Sequence, residues 1–393
     1  MNVDIVVVGS ARTPLGAMQG TLSSLSASQL GGFAIAKAIK CSGISVEQVD
    51  EVYMGCVLSA GVGQAPARQA AIYANIPSHC PATTINKVCG SGMKSVQLAM
   101  QSLRLGEASL VVAGGMECMS QSPYMLSKAR DGYRLGHGEL LDSMFIDGLQ
   151  DSYSGNLMGV FAENTADKYG FTREAQDAFA LESIKRSRSA IEKGVFEKEI
   201  ASVEVTSRQG VITVGEDELP GRAKPDKVQQ LKPAFRNNGT VTAANASSIA
   251  DGAAALVLAT KAYAHKNGLP IIAEIKAVAE YAHEPEWFTT APVTAIKRVL
   301  EKIKWHPESV DLFEINEAFA VVTMAAMHDL SLPQGKVNIY GGACSLGHPL
   351  GASGARILVT LINALRQEGK QKGVASLCIG GGEAIAMAIE CGP

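Results

Sequence analysis

Neither sign of charge dominates this 393-residue chain: 35 lysines and arginines stand against 38 aspartates and glutamates, a formal net charge of −3. That balance excludes nucleic acid and anionic membrane surfaces as expected partners. No apolar run approaches the roughly 18 residues a membrane helix needs. The first residues, including Asn2 and Asp4, carry neither a basic leader nor a small-residue cleavage site, so the expected address is the cytoplasm. Eight cysteines are too few for a dense disulfide framework and leave thiols free for chemistry. No cysteine–histidine cluster has metal-ligand spacing, and neither a phosphate-binding P-loop nor a dinucleotide fingerprint occurs, so no metal and no resident cofactor are expected. Aromatic residues are scarce, at 5%. What remains is a chain with 47% hydrophobic and 19% charged residues and forty glycines: folded, glycine-rich and large enough for two to three domains.

The order of elements repeats. Val3 to Val8 reads as a buried strand, followed by helical patterning at 26–40 and a strand near Val52–Leu58. Ala82 to Asn86 is strand-like and leads into Lys87-Val88-Cys89-Gly90-Ser91-Gly92. Met93, Val96, Met100 and Leu103 then recur at helical spacing up to Gly106, and Leu110 to Ala113 forms a strand closed by Gly114-Gly115. In the second half Val337 to Tyr340 reads as a strand, Gly341 to Gly354 as a glycine-rich turn, 355–367 as a helix and Val374 to Ile379 as a strand ending in Gly380-Gly381-Gly382. Two such units predict a duplicated α/β protein with mainly parallel pairing. The segment between them differs. It holds a polar loop region, a helix at 172–193, a β-rich stretch at 200–214 and a Gly/Pro/Lys region at 215–239, and Asp251 to Ala259 returns as a strand. The expected division is 1–119 plus 250–269, an inserted loop domain at 120–249, and 270–393.

Chemistry concentrates in the glycine turns. Cys89 sits where a strand hands over to a helix, and helix amides favour thiolate and can bind an oxyanion. A single such cysteine is more often a small core residue. His348, in Gly347-His348-Pro349-Leu350-Gly351, occupies the corresponding turn of the second half, and a neutral imidazole can take a thiol proton. Cys378 ends a buried strand, either packed there or exposed by the following glycines at the sheet edge. Asn316 reads either as a helix N-cap or as an amide that orients a water.

Together these stretches resemble the thiolase family, in its acetyl-CoA acetyltransferase branch. The matching motifs are Asn86 to Lys94, Gly114-Gly115-Met116-Glu117, Asn316-Glu317-Ala318-Phe319, Gly347 to Gly354 and Cys378-Ile379-Gly380-Gly381-Gly382, in family order over nearly the whole chain. The resemblance implies layered α/β/α/β/α architecture: two five-stranded domains, an inserted loop domain and assembly as a homotetramer. It implies acetyl-CoA, acetoacetyl-CoA and CoA as the partners. Cys89 corresponds to the acylated nucleophile, His348 to its activator and Cys378 to the base for the α-proton of the second substrate. Asn316 corresponds to the residue that holds a water in one oxyanion hole with His348, and the amides of Cys89 and Gly380 to the other. Ser247, Phe235 and Arg222 match CoA contacts, and Met158 and Phe319 the acyl pocket.

The chain departs from the family pattern at Ser248, where glycine is usual, at Leu157, where histidine is usual, at Glu383-Ala384, where small or apolar residues are usual, and at Pro220, a tyrosine in the potassium-dependent branch. The expected activity is reversible condensation of two acetyl-CoA to acetoacetyl-CoA. The alternatives are a broader-chain 3-ketoacyl-CoA thiolase and a non-catalytic acyl-CoA-binding scaffold.

Overall fold

The structure is a computed structural model that describes residues 3–207 and 210–392. Asn2 and positions 208–209 of the predicted β-rich stretch lie outside the described residues.

In chain order the elements that build the site are β1 (Ile5–Arg12), α1 (Ala27–Ser42), β2 (Glu51–Gly55), β3 (Ala82–Ile85), α2 (Ser91–Leu105) and β4 (Leu110–Cys118). The inserted segment supplies α3 (Met158–Tyr169) and α4 (Arg173–Glu192), and β5 (Ala250–Thr260) returns to the first half. The second half runs β6 (Ala273–Ala282), α5 (Ala291–Ile303), β7 (Leu312–Ile315), α6 (Ala320–Asp329), α7 (Leu350–Gln367), β8 (Lys372–Ile379) and β9 (Glu383–Glu390). Local sequence explains several ends. The Ser26 hydroxyl accepts the Gln29 amide in a capping box on α1, and Thr172 caps α4 through the Ala175 amide. Gly106 ends α2 in the left-handed conformation, φ 77°.

Nine strands lie in one ten-stranded sheet in the order β7-β8-β9-β6-β1-β5-β4-β2-β3, and the tenth, the two-residue strand Gly16–Ala17, pairs with β5 off this path. Pairing is parallel only for β7/β8, β2/β3 and β2/β4; the ladders between them are antiparallel, which corrects the expectation of mainly parallel strands. The cause is connectivity. β5 arrives from the insertion and not from a helical crossover, β8 and β9 form a hairpin through Gly381 and Gly382 (φ 91° and 92°), and the halves meet edge to edge at β1/β6.

Three boundaries also differ. β4 passes through Gly114-Gly115 to Cys118, because a side chain at Gly115 would overlap the Gly351 carbonyl. Val337 makes a single bridge to Phe313, where a strand was expected, and α7 begins at Leu350 instead of 355. The second half therefore has four strands and a bridge where the first has five.

The layers follow from burial. α1 covers one face of the first half and α5 the outer face of the second, while α2 and α7 pack against each other between the halves. Glycine permits that crossing. A Cβ at Gly92 would lie 2.8 Å from the Ala355 nitrogen, and one at Gly354 would lie 2.5 Å from the Met93 nitrogen. The largest apolar cluster spans both halves, with Val96 and Met100 of α2 beside Ile357 and Leu361 of α7.

Buried polar contacts fix the insertion. Arg12, fully buried, donates to both Asp217 carboxylate oxygens at 2.7 and 2.8 Å and pairs with Glu199, which also accepts the Thr360 hydroxyl of α7 at 3.1 Å. At the mouth between the halves Lys87 pairs with Glu280 at 3.5 Å and with Glu383. The acidic residue at 383 thus has a partner on the turn that carries Cys89.

Candidate active site

The turn that carries Cys89 is tied down from both sides. Val88 has φ 45°, an unusual value for a β-branched residue. Its amide donates to Asn86 Oδ1 at 3.0 Å, and its carbonyl accepts the Ser91 hydroxyl at 2.6 Å. The same Ser91 oxygen accepts the Lys87 amide at 2.8 Å. Cys89 therefore sits at the crest of a closed loop, just before α2. The amides of Gly380 and of Cys89 itself address its sulfur.

The amides act in the expected direction, toward thiolate, but burial outweighs them. Burial pushes the thiol up to about 11, and the Gly380 and Cys89 amides offset only part of that. The Cys89 thiol is therefore protonated at neutral pH.

His348 lines the same cavity as Cys89. Gly347 (φ 98°) and Pro349 flank it, and its amide donates to the Ser248 carbonyl at 2.9 Å. The Ser353 hydroxyl donates to the Pro349 carbonyl at 2.9 Å, so its oxygen is left to accept from His348 Nδ1 at 2.5 Å. The proton is thus held on Nδ1, and Nε2 presents a lone pair. Nε2 is buried with no partner among the described residues. Burial, and secondarily the Arg356 cation, pull the imidazole down to about 3, so it is neutral at any physiological pH.

Asn316 is not an N-cap: α6 begins at Ala320, and Phe319 occupies the cap. The Asn316 side chain is 1% exposed, and neither its oxygen nor its nitrogen has a partner among the described residues. Its neighbour Glu317 anchors the loop by accepting from Ser183, Asn338 and the Cys344 amide at 2.8, 2.9 and 3.0 Å. Cys378 is fully buried near the end of β8, in a cluster with Met158, Phe161, Phe288 and Phe319. Its thiol is raised well above the ordinary range, by burial first and then by the nearby Cys89 sulfur.

A cavity of about 230 Å³ opens onto Cys89 and His348, whereas Asn316 and Cys378 are not among its lining residues. Cys89, His348, Gly380, Ser247, Phe235, Met158 and Phe319 line it, as do Phe145, Leu149, Leu157, Ile249 and Leu350. The Phe235 ring meets Phe319 edge-on at 5.9 Å, and the Ser247 amide donates to the Ala318 carbonyl at 2.9 Å. Leu157, where the family has histidine, makes part of an apolar wall. Arg222 is not brought to this cavity. It lies half-exposed, paired with Glu218, on a separate groove with Lys224, Lys227 and Ser248. Among the described residues no group of three or more His, Cys, Asp or Glu is placed to hold a metal ion. Sequence reasoning missed Ser353, although its spacing of five from His348 within the matched glycine turn was visible.

The match to known proteins is end to end. The thiolase N-terminal domain family model covers residues 5–262 and the thiolase C-terminal domain model covers 269–391. An acetyl-CoA acetyltransferase of Cupriavidus necator is 48% identical over 98% of this chain and 99% of its own, and acetyl-CoA acetyltransferase 2 of Arabidopsis thaliana is 50% identical over 98% and 97%. Among solved structures, an acetyl-CoA acetyltransferase of Bacillus anthracis superposes with TM-score 0.97 at 39% identity, covering 99% of each chain. A thiolase of Ascaris suum in complex with coenzyme A gives 0.93 at 43%, covering 99% of this chain and all of its own. With both domain models matched and its relatives near half identical along their full length, the chain belongs to the thiolase family.

Proposed function

We propose that the protein is an acetyl-CoA C-acetyltransferase that condenses two acetyl-CoA to acetoacetyl-CoA and CoA, reversibly, through an acetyl-cysteine. The observation that carries this reading is the bare Nε2 of His348, oriented by Ser353, in one cavity with a protonated Cys89 under the Gly380 amide.

In the first half-reaction Cys89 Sγ attacks the thioester carbonyl as His348 Nε2 takes its proton. The negative charge goes to the carbonyl oxygen, against the amides of Cys89 and Gly380, so a free thiolate is never required. The C–S bond to CoA breaks, and the leaving sulfur takes the Cys378 proton. That leaves acetyl-Cys89, protonated His348 and a Cys378 thiolate. In the second half-reaction Cys378 takes the α-proton of the next acetyl-CoA, and the enolate oxygen forms beside His348 and Asn316. The enolate carbon attacks the acetyl carbonyl, a C–C bond forms, the Cys89 C–S bond breaks, and Cys89 recovers its proton from His348.

Coenzyme A is substrate and product, and the scheme calls for no other cofactor and no metal. Ser247, Phe235, Met158 and Phe319 are assigned to the pantetheine and acyl groups, and Arg222 to the outer part of CoA. Assembly as a homotetramer belongs to the same reading; exposed Tyr124, Leu126, Leu135 and Leu140 in the insertion support it as surface for another copy to cover. So does a cytoplasmic address, since the scheme needs both thiols reduced.

Mass spectrometry after exposure to acetyl-CoA tests the reading: an acetyl group on Cys89, absent in C89A, and in C378A acetylation without condensation. Full condensation by C378A overturns the role of Cys378. The apolar walls at Phe145, Leu149, Leu157 and Leu350 favour a second reading, thiolysis of longer 3-ketoacyl-CoA. A clear preference for a ten-carbon substrate over acetoacetyl-CoA would establish it instead.

A further inference from the structure

Glu117 closes the Gly114–Glu117 motif, and the mechanism above leaves it without a task. It is fully buried and is the penultimate residue of β4, one before Cys118. No lysine, arginine or histidine forms an ion pair with it among the described residues. Its partners are backbone donors from two other segments. Oε2 accepts the Val57 amide at 3.0 Å and the Gly351 amide at 2.8 Å, and Oε1 accepts the Leu58 amide at 3.1 Å, with the Cys56 thiol at 3.7 Å.

Both segments belong to the site. Val57 and Leu58 pack with Leu350, Met119 and Met144 in the cluster against which Cys89 rests. Gly351 is the second residue of α7, whose cap position is Pro349, with no side chain able to cap. A Glu117 oxygen takes the place a capping serine or aspartate would fill, but from another strand. The helix it caps begins two residues after His348 and carries Ser353.

We propose that Glu117 is a positioning residue for the acyl-transfer step, holding the start of α7, and with it His348 and Ser353, in register with the floor of the Cys89 cavity by means of an ionised carboxylate. The proposal deepens the thiolase reading and rests on it. Its charge has a second consequence. Burial raises the carboxyl to about 7, with the Val57, Gly351 and Leu58 amides opposing, so above that pH it is an anion near Cys89. That anion adds to the burial that raises the thiol. The titratable groups facing it are Cys56, Cys89 and Cys118. Glu117 thus adds to the burial that keeps Cys89 protonated while keeping its base in place.

The two effects have opposite signs, which separates this role from a merely structural one. Glutamine keeps the size but turns an N–H toward one of the donated amides and removes the charge. For E117Q we expect the rate constant of Cys89 acetylation to fall about tenfold or more, with KM for acetyl-CoA within about twofold. Iodoacetamide alkylation of Cys89 should nevertheless reach any given rate at a lower pH than in the wild type. E117D keeps the charge and loses reach: slow acetylation is expected with a wild-type alkylation profile. Acetylation by E117Q within about twofold of wild type overturns the proposal, as does a rate loss with an unmoved alkylation profile. If E117Q does not fold, E117D decides alone, and wild-type acetylation by it overturns the proposal. Failure of the wild type to form acetyl-Cys89 would instead overturn the thiolase reading, since alkylation is measured without acetyl-CoA.

Discussion

Removing the Ser353 hydroxyl isolates what orients His348, the base in the proposed reaction. In S353A the His348 Nδ1–H loses its acceptor at 2.5 Å inside a site where the imidazole is only 6% exposed. The helix start survives, because the Ala352 and Ser353 amides still donate to the Pro349 carbonyl at 3.0 Å each. The cost of an unsatisfied buried donor is about 1–3 kcal/mol. The ring escapes that cost by moving its proton to Nε2, but an Nε2–H cannot take the Cys89 proton. Either way the productive state is disfavoured, by roughly 5- to 150-fold. Rapid quenching followed by mass analysis reads the acetylation of Cys89 directly, and CoA release reads the same step optically. We expect the acetylation rate constant to fall within that range while KM for acetyl-CoA stays within about twofold, since the hydroxyl touches no substrate. A thermal melt controls for folding. Acetylation within about twofold of wild type would refute the tautomer argument.

Two further outcomes follow from the buried charges. Because burial pushes Cys89 up to about 11, its neutral form is favoured below that pH and lost above it. Alkylation by iodoacetamide should therefore keep rising, about tenfold per pH step, through pH 9 without a plateau. A plateau with its midpoint at or below about 8 would contradict the assigned protonation state. Replacing Arg12 by leucine strands two carboxylates, Glu199 and Asp217, in the interior. The expected loss is about 3–5 kcal/mol, seen as a markedly lower thermal midpoint; a loss under about 1 kcal/mol would show that the pair does not anchor the insertion.

The glycine turns were legible because a local sequence is enough to force them. Cys89 before a helix, His348 between Gly347 and Pro349, and the triple glycine after Ile379 each fix the backbone within a few residues. The helix at 172–193 was legible for the same reason, through Thr172 at its start and Gly194 after its end. Strand direction was not. Parallel pairing was inferred from alternation of strands and helices, whereas β5 comes home through the insertion, and β1 and β6 join the two halves by pairing residues as distant in the chain as Ile5 and Ile275. Val337 read as a strand by its apolar neighbours, and only the fold reduces it to a bridge with Phe313.

The chemistry divides in the same way. The sequence by itself singled out the candidate side chains, two thiols, an imidazole and an amide, and the turns that present them. Only the tertiary structure decided their states. Desolvation that keeps Cys89 a thiol and His348 neutral, the hydroxyl that selects the imidazole tautomer, and the carboxylate of Glu117 reaching Gly351 from 234 positions away all depend on what surrounds a group in space. Backbone turns are set by neighbours in the chain; protonation is set by burial and by contacts that only the folded chain assembles.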